Sequence, residues 1–126
     1  MVLIFGGAYQ GKLAYTLERF GLADSDVYRC VAQCTAVPVG KRVIYELDKW
    51  IMALVSAGID IETAVRDFCE CNDGAIVICN DVTCGVVPTD PELRKWREAF
   101  GKALSEVARA SDEAVRLFCG IPMTVK

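Results

Sequence analysis

Between a short apolar run and the first helically spaced segment the chain carries Phe5-Gly6-Gly7-Ala8-Tyr9-Gln10-Gly11-Lys12-Leu13. Met1 to Phe5 is rich in strand formers, whereas Leu13, Leu17 and Phe20 recur at helical spacing, so the glycines fall at a strand-to-helix turn. Gly6, Gly11 and Lys12 satisfy the spacing G-x-x-x-x-G-K. In that arrangement backbone N–H groups and the positive end of the following helix surround an anionic phosphate, and the lysine adds a point charge. The residue after the lysine is ordinarily Ser or Thr, whose hydroxyl holds Mg²⁺, but here it is Leu13. A glycine-rich turn can also be no more than a tight turn, so the loop alone leaves both readings open.

The rest of the chain alternates strand and helix signals. A helix is expected from Lys12 to Phe20, ending near Gly21, with Asp24 to Asp26 as polar linker and Val27 to Gln33 as the second strand. Pro38 and Gly40 break the chain before Arg42 to Glu46, a third strand ending in a carboxylate. Trp50, Ile51, Leu54 and Val55 keep helical spacing up to Gly58, and Ile61, Val65 and Phe68 mark a further helix that Asp60 can cap. After the turn Asn72-Asp73-Gly74, Ala75 to Cys79 is continuously apolar, as in a strand buried on both faces. A long helix is expected from Pro91 to Ala110, with Leu93, Trp96, Phe100, Ala103, Leu104 and Val107 as its apolar stripe. Ala114 to Cys119, Gly120 and Met123 to Lys126 read as a terminal β-hairpin. Alternation of this kind implies one α/β domain over residues 1–126, with a mainly parallel sheet covered by helices on both faces. Ligands of such sheets sit beyond the carboxyl ends of the strands, where Gly6 to Lys12, Gln33, Glu46 and Asp81 are expected to converge.

Composition removes several function classes. The net charge of −3 argues against a nucleic-acid binder that works by neutralising phosphates. No apolar run approaches the roughly 20 residues of a membrane span, and the N-terminus lacks a signal-peptide pattern, so a cytoplasmic protein without membrane contact is expected. Seven cysteines without export signals point to reduced thiols, with Cys30, Cys79 and Cys119 in strand-like runs as small buried hydrophobes. Cys30/Cys34 and Cys69/Cys71 have C-x₃-C and C-x-C spacings rather than the paired C-x₂-C of a structural zinc site, which favours core packing. There is no histidine, which removes the commonest general base and every histidine nucleophile.

In the C-terminal half, Asn80-Asp81-Val82-x-x-Gly85-Val86-Val87-Pro88 is followed by Arg94-Lys95-Trp96-Arg97-Glu98 and Gly101. This resembles the adenosylcobinamide kinase / adenosylcobinamide-phosphate guanylyltransferase family, with its N-E-V-G-x-G-I-V-P and R-x-F-R-D segments. Gly6-Gly7-Ala8-x-x-Gly11-Lys12 is similar to the family's G-G-A-R-S-G-K-S loop, and Tyr28 to Gln33 to its Y-I-A-T-x-Q/E. Ala110-Ser111-Asp112-Glu113-Ala114-Val115 through Gly120-Ile121-Pro122-Met123-Thr124-Val125-Lys126 is similar to its close. The resemblance implies a RecA-like P-loop fold. It also implies transfer of the γ-phosphoryl group of ATP or GTP to the aminopropanol hydroxyl of cobinamide, in cobalamin biosynthesis, by a homo-oligomer, a trimer in that family. Carried over by position, Gly6, Gly7, Ala8, Tyr9, Gln10, Gly11, Lys12 and Leu13 form the nucleotide-binding loop. Lys12 and Glu46 take the catalytic positions, and Glu46 and Asp81 those of carboxylates near the metal.

The departures are specific. The family's segment bearing the histidine that accepts GMP is missing between Gln33 and Lys41, so guanylyl transfer is expected to be absent. Tyr9, Gln10 and Leu13 replace the Arg, Ser and metal-binding hydroxyl of the family loop, and Thr83 replaces a glycine. Mg²⁺ is therefore expected to be weakly held. Two readings follow: a nucleotide-dependent cobinamide kinase, or a non-catalytic P-loop module that binds nucleotide or a corrinoid, or assembles with partners.

Overall fold

The structure is a computed structural model and describes residues 1–8, 11–82 and 89–126. Its order is β1 (Val2–Gly6), α1 (Lys12–Phe20), a 3₁₀ turn (Asp24–Asp26), β2 (Val27–Arg29), β3 (Val43–Tyr45), α2 (Leu47–Ser56) and α3 (Ile61–Cys71). β4 (Ile76–Asn80), α4 (Pro91–Ala110), β5 (Glu113–Phe118) and β6 (Ile121–Thr124) complete it. The strands form one six-stranded sheet in the order β2-β3-β4-β1-β5-β6. All neighbours are parallel except β5 and β6, which form the antiparallel C-terminal hairpin.

The alternation of side chains across a strand explains how one sheet carries two cores. Leu3, Ile44, Val77, Cys79 and Ala114 face one side, where Leu47, Trp50, Ile51, Leu54, Val65, Phe68, Phe100, Ala103 and Val107 of α2, α3 and α4 close over them. Ile4, Val43, Ile76, Ile78, Val115 and Leu117 face the other, covered by Leu13, Leu17 and Phe20 of α1. The central strands β1 and β4 are therefore apolar at consecutive positions, as strands buried on both faces must be. The expected α/β architecture, with helices on both faces, is what forms.

Local signals set the helix ends. Gly21, left-handed at φ 64°, closes α1 by donating to the Leu17 and Glu18 carbonyls. Asp60 caps α3 through the Thr63 N–H, and Asp90 caps α4 through the Glu92 N–H with Pro91 in the first turn. Four expectations are corrected. β2 stops at Arg29 rather than Gln33, because its partner β3 ends at Tyr45, where the chain turns into α2. Asp24 to Asp26 is a 3₁₀ turn rather than linker, tied by the Asp26 carboxylate accepting from the Ala23 N–H at 2.8 Å. Leu93 is exposed in the first turn of α4, outside the buried stripe. Cys119 is exposed at positive φ in the β5–β6 turn, so it is not a core residue.

Candidate active site

β1 and β4 run parallel with Gly6 opposite Asn80, and β3 ends beside them, so three strand ends meet at one edge of the sheet. Gly6 is required there. A Cβ on it would lie 2.4 Å from the backbone oxygen of Leu117 on β5, and its φ of 153° is one that side chains rarely adopt. Its carbonyl also accepts from the Asp81 N–H at 2.7 Å, which ties the start of the loop to the end of β4. Gly7 and Ala8 are exposed, and Gly11 enters α1 in the left-handed conformation at φ 76° with no side-chain cap. Among the described residues no side chain caps the first N–H groups of α1, at the positive end of the helix.

Lys12 is buried, yet it is the first residue of α1. Among the described residues, its ammonium donates to the Gly7 carbonyl at 2.7 Å. Burial draws its pKa below the usual lysine value, opposed by the neighbouring Cys79, Asp48 and Glu46. A desolvated cation on a single neutral acceptor suits an anion that can displace that carbonyl.

A cavity of about 400 Å³ opens beside it, lined by Ala8, Gly11, Lys12, Leu13, Ala14, Tyr45, Glu46, Lys49 and Asn80. The structure thus brings Ala8, Gly11, Lys12, Leu13 and Glu46 together. Gln33 is exposed, and neither it nor Asp81 is among the described residues lining this cavity. Tyr9 and Gln10, and residues 83–88 of the Asn80-to-Pro88 motif, lie outside the described residues. A larger groove of about 610 Å³ between the start of α3 and the middle of α4 has Lys95, Lys102, Glu62, Glu98 and Glu106 on its walls. All five are exposed, and the groove shares no residue with the loop cavity.

Glu46 is the one residue between β3 and α2, left-handed at φ 62°. For a non-glycine residue this conformation costs about 1–2 kcal/mol. The Glu46 carboxylate accepts from Lys49 Nζ at 2.5 Å, both residues lining the cavity, and this hydrogen-bonded ion pair raises the lysine's pKa. Leu13 supplies an apolar wall that packs against the α1-side core. The nearby Thr16 hydroxyl is spent on the Lys12 carbonyl at 2.8 Å.

Two residues escaped the sequence reading. Asp48, buried in the first turn of α2, accepts from the Asn80 N–H at 3.1 Å, while its own carbonyl accepts from Trp96 Nε1–H at 2.9 Å. It joins α2, the end of β4 and α4 behind the cavity, and burial raises its carboxyl pKa. A signal was present, since Asp48 stands one turn before Ile51 on the apolar stripe of α2. Lys49 is the other, and the i,i+3 spacing of Glu46 and Lys49 is common enough on helices to pass unnoticed.

A parallel sheet whose first strand runs through a glycine-rich loop into a helix headed by a buried lysine defines an α/β domain of the RecA-like P-loop type. Residues 26–125 match the CobU family model, cobinamide kinase / cobinamide phosphate guanyltransferase. The chain belongs to that family, whose members are nucleotide-dependent transferases of cobalamin biosynthesis. The matched span begins after Lys12, so the loop rests on its own geometry. A search of the curated proteins found no match. Among the described residues, no helix is long and apolar enough to cross a membrane.

Proposed function

We propose that this chain binds the triphosphate of ATP or GTP at Gly6 to Lys12 and transfers its γ-phosphoryl group to the aminopropanol hydroxyl of cobinamide, without guanylyl transfer. The observation that carries the reading is the buried Lys12 ammonium held on the Gly7 carbonyl at an uncapped helix start. Such transfer depends on positioned charge around the phosphoryl oxygens rather than on covalent protein chemistry. In this reading Lys12 supplies that charge and Glu46, which lines the same cavity, accepts the proton of the attacking hydroxyl. The family supports the cobinamide acceptor, and the absence of histidine supports the loss of guanylyl transfer. A homo-oligomer, trimeric as in the resemblance, belongs to the same proposal and is read by light scattering.

The donor set fits Mg²⁺ poorly. Leu13 offers no lone pair, the Glu46 carboxylate is held by Lys49, and the described residues hold no group of three or more metal-ligating side chains. A divalent ion, when present, would supply only charge to the phosphates. Leu13 favours the second reading, a module that binds nucleotide without turnover. The deciding assay is phosphoryl transfer from labelled nucleotide to cobinamide by the wild type and Leu13→Ser across a Mg²⁺ series. Slow, weakly Mg²⁺-dependent wild-type transfer that the substitution raises and makes Mg²⁺-dependent supports the kinase, with no GMP label retained on the protein. No transfer by either leaves the module.

A further inference from the structure

On the nucleotide-binding reading, a polyphosphate bound here needs positive charge that a metal-binding hydroxyl at position 13 does not help to hold, because that residue is Leu13. The cavity contains a second cation. Lys49 lines it together with Lys12 and Leu13, and its Nζ sits on the Glu46 carboxylate. The lysine side chain is 48% exposed and the glutamate 23%, so the lysine is the more exposed partner of the pair. Lys12 comes from the start of α1 and Lys49 from the first turn of α2, so the two charges approach the cavity from different strand ends. Glu46 reaches the cavity from the single residue between β3 and α2, at φ 62°.

We propose that Lys49 stands in for the divalent cation, shifting from Glu46 onto the phosphate oxygens as a polyphosphate enters, so that binding here is independent of metal. An ammonium on a four-carbon stem is a compact point charge with three rotatable donors, suited to changing partners over a short distance. In the resting state it also masks Glu46, whose bare carboxylate would repel an arriving phosphate. The same pairing withholds Glu46 from Mg²⁺, adding to the loss of a donor at Leu13.

Isothermal titration calorimetry with ATP, and separately with inorganic tripolyphosphate, in EDTA and in Mg²⁺, tests this. Wild-type affinity in EDTA is expected within about threefold of that in Mg²⁺, less than the loss of one contact would cause. Lys49→Met should lose about tenfold in EDTA, the size of one charge-assisted contact, and Lys49→Arg should recover most of it. Because Lys49→Met frees Glu46, its binding should also become Mg²⁺-dependent, an outcome that damage to the fold would not produce. Thermal melts of each variant check folding, and if Lys49→Met does not fold, the wild-type metal comparison and Lys49→Arg decide. Wild-type binding that needs Mg²⁺ by tenfold or more, or Lys49→Met titrating like wild type in EDTA, overturns the proposal and leaves nucleotide binding standing. No binding to the wild type in either buffer overturns both.

Discussion

The two ends of the sheet are built on opposite terms. At the end where the parallel strands begin, polar groups are satisfied among themselves: buried Asn72 donates to the Pro38 and Phe68 carbonyls, both at 2.9 Å, while its own carbonyl accepts from the Ala75 N–H. The Val2 N–H donates to the Ala75 carbonyl and the Ile76 N–H to that of Arg42, which locks the starts of β1, β3 and β4 in register. Where the strands end, the Asn80 N–H on Asp48 and the Asp81 N–H on the Gly6 carbonyl are likewise paired, but two cations rest on the lining of the cavity and its loop: Lys12 on the exposed Gly7 carbonyl and Lys49 on Glu46. Glu46 itself sits in a strained left-handed conformation. Closed networks hold the fold, whereas the proposed site relies on charges whose partners can be exchanged, and the length of the strands separates the two.

The largest effect should come from Lys12→Ala. Polyphosphate affinity is expected to fall by about two orders of magnitude, while the melting temperature moves little, because a desolvated charge is removed and the exposed Gly7 carbonyl returns to water. Calorimetry alongside a thermal melt reads both quantities, and a large stability loss would make Lys12 part of the scaffold. Asn72→Ala should do the reverse. Two carbonyls lose a buried donor, for about 1–3 kcal/mol by denaturant titration, with phosphate affinity unchanged. A change in affinity beyond the error of the titration would erase the distinction between the two ends.

The smallest effect tests the buried acid that links site to scaffold. Asp48→Asn keeps an acceptor for the Asn80 N–H but removes a negative charge that supports Lys12, so affinity should fall only a few-fold. Its effect on stability has a definite sign. Burial raises the folded pKa of Asp48 above its unfolded value, so the stability of the protonated form is full below the unfolded pKa and is lost as pH rises through the folded one. The asparagine variant should therefore equal the wild type in acid and match or exceed it at neutral pH, as read by melts across that range. A variant less stable at neutral pH than in acid, relative to wild type, would show that the Asp48 charge is itself stabilising.

Much of the architecture was readable because it is written locally. The span of α4 from Pro91 to Ala110, the end of α1 at Gly21 and the Asp60 cap of α3 follow from i,i+3 and i,i+4 spacing and from capping chemistry, all within a few residues. The alternating strand and helix signals and the glycine loop likewise determined a parallel sheet with a glycine-rich turn at its first crossover. Tertiary structure alone decided the electrostatics. Asp48 meets Asn80 across 32 residues of sequence, Lys12 is desolvated by strands and helices distant in the chain, and Cys119 is turned out of the core by a hairpin. Periodicity reports which face of an element is apolar. It does not report which strand end lies next to which helix start, and at this site that adjacency sets whether a lysine or a carboxylate is buried, paired or free to meet a ligand.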